Sequence, residues 1–558
     1  MVEGRMGCRW ALAIRGQSPS GPAEASGYRG LIKLQPHRVD EPCRQACERE
    51  VMTRHLPDEN RPFPSRTRIL ATLGPATDDP EVLDRIVEAG ARIFRLNFSH
   101  GGVEEHRRRI KAVRQLEQEL GTPLAIMGDL PGPKIRVIQV PEGGIEVSPG
   151  EDVLFERSLD GACEPAAGDR PVRLSCTWQG MVDCVHPGQR VLINDGAIRL
   201  LATEVMDDSL LCRVTAGGLI TSHKGVNLPD SKLDIEVPTD RDREMACWAI
   251  DHDVDLIAMS FVRAGEEVES LREVMRSHMG ADCADRPLPI VAKIEVPQGV
   301  QKAQKIIAAA DAVMVARGDL GVEMDLARVP IIQKRLLSLA RALDRPCIVA
   351  TQMLQSMIES PIPTRAEASD VAGAIFDGAD AVMLSGETAV GAYPVVAVET
   401  MRRIGDEMEN WMQAEGLSLD QSISLQLESH AQDDSQTLVA GIWSTAEASQ
   451  ARCIVVYSEW GTWSRLISRS TRPIPILAYT RRQKVVRQML LCRGVTPEVM
   501  DVIPDEAVLT RDVQQRLHHA GWLEAGDAVL VVMGRPLESS INSTRMTVHR
   551  LVEEPELT

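Results

Sequence analysis

Eight short apolar runs constrain the fold of this chain more than any other feature: RILATLG, RIFRLNFS, LAIMGDL, DLIAMSF, IVAKIE, AVMVARGD, CIVATQ and AVMLSGE. Most follow one another at intervals of about 22–35 residues, room for one helix and its loops. Stretches such as EVLDRIVEAG and VPIIQKRLLSLARAL fill those intervals with apolar positions at helical spacing. Buried strands alternating with helices predict a parallel α/β sheet. Eight such units predict a closed (β/α)8 barrel. An open doubly wound sheet is the alternative, but LGPATDD after the first run is not a glycine-rich dinucleotide turn.

Seven of the eight runs end in polar residues that share one side: Arg95 and Asn97, Asp129, Ser260, Lys293 and Glu295, Arg317 and Asp319, Thr351 and Gln352, Ser385 and Glu387. In a barrel these positions ring the mouth where substrates bind. In the stretch from 290 to 321 the two strand ends bring together Glu295, Asp319 and Lys293, which suits a hard divalent cation beside an anionic substrate. A surface ion-pair cluster would account for that stretch taken alone. Lys293 and Glu295, two residues apart, point to one face of a strand, where the lysine can neutralise a phosphoryl group in transit. Arg95, Asn97 and Ser99 share a face in the same way, and Arg95 suits bidentate phosphate binding. Backbone N–H groups in RGDLG can hold a carboxylate, and Thr351 adds a hydroxyl. Together they imply a small phosphorylated acid.

One interval breaks the rhythm. About 125 residues separate LAIMGDL from DLIAMSF, and they alternate apolar and polar residues with Gly, Pro and Asp turns. A small β domain over 134–235 is therefore expected as an insertion, able to close over the mouth as a lid. The barrel then comprises 66–133 and 236–410. Residues 411–435 read as a polar linker, and 436–558 as an α/β domain with strands CIVVY, PILAYT and DAVLVVMG. Residues 1–60 read as a disordered extension, or as a start assigned too early with Met52 as the true beginning. Arg5, Arg9, Arg15 and Arg29 suggest a transit peptide, but Glu41, Glu48 and Glu50 spoil that pattern.

The formal net charge of −18 argues against a nucleic-acid surface. No run approaches the ~18 apolar residues of a membrane-spanning helix. The 12 cysteines are scattered without a CxxC, which points to free thiols in a reducing, cytoplasmic setting.

The stretches LNFSHG, GDLPGPKIR, KGVNLP, AKIE, MVARGDLG, ATQMLQSM, PTRAEASDVA and LSGETAVGAYP resemble the pyruvate kinases, in family order from about residue 67 to 400. The carboxy-terminal part matches more loosely, and residues 1–60 show no resemblance. The resemblance implies Mg2+-dependent phosphoryl transfer from phosphoenolpyruvate to ADP, giving ATP and an enolate that is protonated to pyruvate. It implies that Lys293 stabilises the phosphoryl group, that Glu295 and Asp319 hold Mg2+ (with Mn2+ as a substitute), and that Arg95 contacts the phosphate. The backbones of Gly318 and Asp319 with Thr351 would hold the carboxylate, Thr351 lying near the proton path. Asn97, His100, Arg136 and Lys224 match positions that meet the nucleotide, and a homotetramer is the usual assembly.

Two departures bear on regulation. Members that need K+ hold it at positions matching Asn97, Ser99, Asp129 and Leu130, with threonine in place of Leu130 and glutamate in place of Lys134. Members with GDL and GPKIR work without K+, and a tethered ammonium at Lys134 can supply the missing charge. A lysine that merely opens the lid hinge toward solvent is the plainer reading. In the carboxy-terminal domain, SEWGTWS stands where sugar-bisphosphate-regulated relatives have a small, hydroxyl-rich phosphate loop. Glu459 would repel phosphate, and Trp460 and Trp463 would block backbone approach. Arg465, Arg469 and Arg472 read as a solvated helix face rather than an anion site. Two other functions fit parts of the pattern: a Mg2+-dependent barrel lyase acting on a pyruvate enolate, and an inactive regulatory subunit. The lyase has no need of Lys224 or LNFSHG. The inactive subunit would be favoured by loss of Lys293, Glu295 or Asp319, and all three are present.

Overall fold

The computed structural model describes residues 65–158, 162–168, 170–280, 285–417, 434–470, 472–500, 523–534 and 544–551. The expected extension over 1–60 and the middle of the expected linker lie outside them. Among the described residues, no helix is long and apolar enough to cross a membrane.

Each of the eight apolar runs forms one strand: β1 (Arg68–Thr72), β2 (Ala91–Asn97), β3 (Ala125–Asp129), β4 (Leu256–Met259), β5 (Ile290–Ile294), β6 (Ala312–Ala316), β7 (Cys347–Ala350) and β8 (Ala381–Leu384). All pair in parallel and close into a barrel, β1 meeting β8 with Arg68 opposite Ala381. The two-residue period of a strand divides its side chains into an inner and an outer set. Leu70, Ile93, Met127, Leu256, Val291, Met314, Ile348 and Met383 pack inside the barrel. Ile69, Phe94, Ile126, Ile257, Ala292, Val313, Val349 and Val382 pack outward against the helices. That parity positions the chemistry: continuing the inner set in steps of two brings Arg95 and Asn97, Asp129, Ser260, Lys293 and Glu295 to the mouth.

Between β3 and β4 the chain builds the inserted β domain. Its six-stranded sheet runs in the order Val226–Asn227, Arg190–Ile193, Ile198–Met206, Ser209–Ala216, Asp152–Glu156, Val172–Leu174. Alternate residues such as Val153, Phe155, Leu200, Cys212 and Val214 form its own core. Arg136 pairs with Gly225 in an antiparallel bridge, so the chain leaving and the chain returning are clamped together at the hinge.

The carboxy-terminal domain carries a five-stranded sheet, two strands more than expected. Both additions, Val495–Val499 and Thr544–Arg550, lie at its edges. Pro497 sits in the first, a residue tolerated at a sheet edge where its missing N–H faces outward. This domain also closes the barrel's far end, with Leu490 and Leu491 joining the interior core. The buried guanidinium of Arg68 donates to the carbonyl oxygens of Cys492, at 3.3 Å, and Val495.

Two of the three arginines expected on a solvated face, Arg465 and Arg469, are docked on the barrel instead, while Arg472 stays partly exposed. Buried Arg469 donates to Asp380 at the start of β8, with Nη1 2.7 Å from Oδ2. Arg465 donates to the carbonyl oxygen of Asp344, and Arg472 pairs with Glu447 at 3.0 Å. Charge runs alone cannot distinguish water from a facing domain. In SEWGTWS, Glu459 is held by Arg481 and Arg482 at 2.8 and 2.7 Å, and Trp460 lies beneath the guanidinium groups of Arg482 and Arg286.

Candidate active site

At the mouth, Lys293 Nζ lies 2.8 Å from Glu295 Oε1, 3.2 Å from Asp129 Oδ1 and 2.7 Å from Ser260 Oγ. The contact with Asp129 is an ion pair without hydrogen-bond geometry. The Ser260 hydroxyl donates to the Leu130 carbonyl at 2.8 Å, leaving its oxygen lone pairs toward the ammonium. Burial opposes the charge on Lys293, but Asp129 and Glu295 outweigh it, so its proton is held more tightly than usual. Arg95 Nε bonds Asp129 Oδ2 at 2.6 Å. Burial would raise the Asp129 carboxyl, yet Lys293 and Arg95 hold it below its ordinary value.

Glu295 is pushed the other way. Burial raises its carboxyl and the charge of Asp319 raises it further, against the pull of Lys293. Its second oxygen accepts from the Phe261 N–H at 2.7 Å, presented by a left-handed backbone with φ 58°. Two facing carboxylates in a buried setting suit a hard cation that takes few protein ligands and fills the rest from water and substrate. Among the described residues no larger cluster of His, Cys, Asp and Glu competes for that role.

β6 passes directly into a short helix, Arg317–Glu323. Arg317 points away from the mouth: its Nη2 donates to the carbonyl oxygens of Thr351 and Gln352 at 2.8 and 3.1 Å, and its Nη1 pairs with Asp370 at 2.7 Å. It thereby holds two residues in the left-handed region, with φ 70° at Thr351 and 53° at Gln352. Thr351 Oγ1 accepts from the Gly318 N–H at 2.6 Å and donates to the Ala350 carbonyl at 2.6 Å. An arriving carboxylate would therefore have to replace the Gly318–Thr351 bond.

Asn97 Oδ1 accepts from the Ser99 N–H at 3.1 Å, tying the turn after β2. His100 beyond it stays neutral more readily than usual: burial, then Arg136, Lys134 and Arg95, disfavour its protonated form. The charges of all three thus act on the same exposed imidazole. Arg136 Nη1 donates to the His223 carbonyl at 2.9 Å, and the Lys224 carbonyl accepts from the Val137 N–H at 2.8 Å, which brings both lid residues to the hinge. Leu130 is buried, with its N–H bonded to the Ala258 carbonyl at 2.9 Å.

Two participants lacked a distinctive signal in the sequence. Ser260, named among the run ends, follows β4 directly, but its contact with Lys293 depends on β4 and β5 being neighbours. Glu323 is buried at the end of the helix that carries Asp319, where Asn227 of the lid donates to it at 2.8 Å.

Comparisons with known proteins identify the family. A family model described as the pyruvate kinase barrel domain matches residues 64–398, and one described as the pyruvate kinase alpha/beta domain matches residues 436–549. A pyruvate kinase of Mycobacterium intracellulare is 37% identical over 491 residues, 88% of this chain and 99% of the relative. One from Clostridium acetobutylicum is 34% identical over 489 residues, 88% of this chain and 100% of the relative. A crystal structure of a pyruvate kinase from Cryptosporidium parvum superposes with a TM-score of 0.78 at 30% identity, covering 87% of this chain and 96% of that one. The chain belongs to the pyruvate kinase family, the phosphotransferases that convert phosphoenolpyruvate and ADP to pyruvate and ATP.

Proposed function

We propose that Lys293, Arg95, Glu295, Asp319 and Thr351 carry this transfer at the barrel mouth, and that the enzyme works without K+. The carrying observation is Lys293 Nζ, held charged among three oxygens at 2.7–3.2 Å on the inner face of the barrel. Arg95, oriented through Nε by Asp129, receives the substrate phosphate. Lys293 meets the phosphoryl group as it leaves the enolate oxygen and follows the charge to the ADP oxygen. Gly318, Asp319 and Thr351 hold the carboxylate, and the Thr351 hydroxyl lies on the route by which a proton reaches the enolate carbon. Glu295 and Asp319 are the residues that would hold Mg2+, which when bound draws negative charge from the phosphoryl oxygens. Asn97, His100, Arg136 and Lys224 face the nucleotide, with the lid closing over it.

The monovalent site is the less expected part. Both Asp129 oxygens already face cations, Arg95 and Lys293. Leu130 offers no side-chain oxygen, and Lys134 contributes its charge beside His100. The Lys134 side chain is exposed at the start of the lid, and its ammonium, drawn to the site when substrates bind, would make a free cation redundant. The plain docking of Trp460 and Glu459 argues likewise against a sugar-bisphosphate effector in that loop. Free thiols among the described cysteines suit a cytoplasmic enzyme. Exposed Leu326, Ile331 and Ile362 on the barrel suit the homotetramer usual in the family.

One assay tests the reading: ATP formation from phosphoenolpyruvate, ADP and Mg2+, with KCl or tetramethylammonium chloride as the salt. We expect similar rates in both. Activity confined to KCl would sink the role of Lys134, and no turnover in either would sink the site assignment.

A further inference from the structure

Asp319 and Glu323 sit one turn apart on the helix Arg317–Glu323, four residues from each other and so on one face. Asp319 looks into the mouth, where its charge acts on Lys293 and Glu295. Glu323 ends the helix on the lid side, buried, with Oε1 2.8 Å from Asn227 Nδ2. Asn227 closes the two-residue strand Val226–Asn227, three residues beyond Lys224, and pairs with Leu192 of the neighbouring lid strand. Arg190 on that same strand is held by Asp230 at 2.7 Å, and both charges act on Glu323. Around this contact the lid and the helix line a cavity of about 1060 Å3, with Arg190, Gly196, Asp230, Glu323 and Arg328 among its walls. A part-buried hydrogen bond thus spans this junction, between partners 96 positions apart in the chain.

We propose that Asn227 and Glu323 form a positioning pair that locks the nucleotide-facing segment of the lid to the metal-bearing helix, so that ADP binds productively only with the pair intact. The proposal rests on the assignment of Lys224 to the nucleotide and of Asp319 to the metal. Asn227 touches neither substrate in this scheme. It fixes where Lys224 stands, and Glu323 carries that constraint to the helix whose first turn holds Gly318 and Asp319. The asymmetry follows: phosphoenolpyruvate lies wholly on the barrel and does not need the lid in register, whereas ADP bridges barrel and lid.

Steady-state kinetics with direct substrate binding test this. Asn227→Ala should raise KM for ADP about tenfold, as expected for one part-buried hydrogen bond to a carboxyl, and leave kcat within about threefold. Calorimetric binding of phosphoenolpyruvate with Mg2+, without nucleotide, should stay within about twofold of the native protein. Glu323→Leu should reproduce the ADP defect, Glu323→Gln should largely escape it because its amide oxygen still accepts, and Asn227→Ala with Glu323→Leu should be no worse than either alone. An unchanged KM for ADP, equal losses for both substrates, or fully additive effects would overturn the pair. If Asn227→Ala fails to fold, the contrast between Glu323→Leu and Glu323→Gln carries the same test. Lys224→Ala separates the two levels: if it leaves KM for ADP unchanged, the nucleotide assignment has failed, and if it raises KM while Asn227→Ala does not, the positioning pair alone has failed.

Discussion

Lys293 Nζ stands 2.8 Å from Glu295 Oε1, two residues further along the same inward-facing row. The pair is short because the strand period makes it so, and it sets cation and metal-ligand candidate side by side before any substrate arrives. A lysine so placed is surrounded by acceptors and by Arg95, and its charge has no work in the resting site beyond balancing carboxylates. Its use must lie in a charge that appears during the reaction.

Lys293→Met therefore keeps the stem and removes the charge. We expect phosphoenolpyruvate affinity to change little while kcat falls about a thousandfold or more, as when a preorganised transition-state contact is lost. Rapid-quench measurement of the chemical step, with ligand binding followed separately, distinguishes the two. Near-normal turnover would remove Lys293 from the mechanism.

Glu323 makes the pH dependence of stability specific. Burial pushes its carboxyl up from 4.5 to about 7, Asn227 pulls it down, Asp319 and Asp230 raise it and Arg190 lowers it. Between those values the folded protein keeps a proton that the unfolded chain has released. Stability from this group is therefore present at low pH, declines as pH rises through the window, and levels off above about 7. Glu323→Gln should shrink the difference in unfolding free energy between pH 5 and pH 8 by on the order of 3 kcal/mol. Urea unfolding across that range, without added Mg2+, measures it, and an unchanged pH profile would contradict the shift.

Arg469 and Asp380 join the two large domains through a buried ion pair, and Asp380 also accepts from the Cys347 N–H at 2.8 Å. Arg469→Met leaves a buried carboxylate without its cation and should lower stability by about 3–5 kcal/mol. Pairing it with Asp380→Asn, which can still accept from Cys347, should recover part of the loss. Denaturant titration of the single and double variants checks this, and full additivity would mean that the two residues act independently.

Much of the barrel was legible because burial on both faces of a parallel strand leaves an unmistakable apolar run, and the two-residue period then assigns Lys293, Glu295, Asp129 and Arg95 to one side. The lid was legible from the interval it interrupts. Other features depend on neighbours that are distant in sequence. RGDLG reads as a cluster of mouth residues, yet Arg317 turns away from the mouth to carbonyl oxygens just beyond the next strand. Asn227 and Glu323 each look ordinary until the lid folds back. The edge strand Thr544–Arg550 is half exposed and polar in pattern, so it lacks the apolar signature of the strands beside it. Arg469 was read as solvated because nothing in its own helix announces Asp380.

The guanidinium of Arg68, in the very first strand, has consequences for the order in which the protein is made. It is fully enclosed, and its acceptors are carbonyl oxygens more than 420 residues downstream. A ribosome adding about 5–20 residues per second needs tens of seconds to deliver them. During that time the opening strand holds a charge that can neither reach its partners nor be buried, so completion of the barrel should wait for the last domain. Stalled nascent chains ending before residue 480 should accordingly stay open to protease in the first barrel strand, and chains whose whole carboxy-terminal domain has left the ribosome should not.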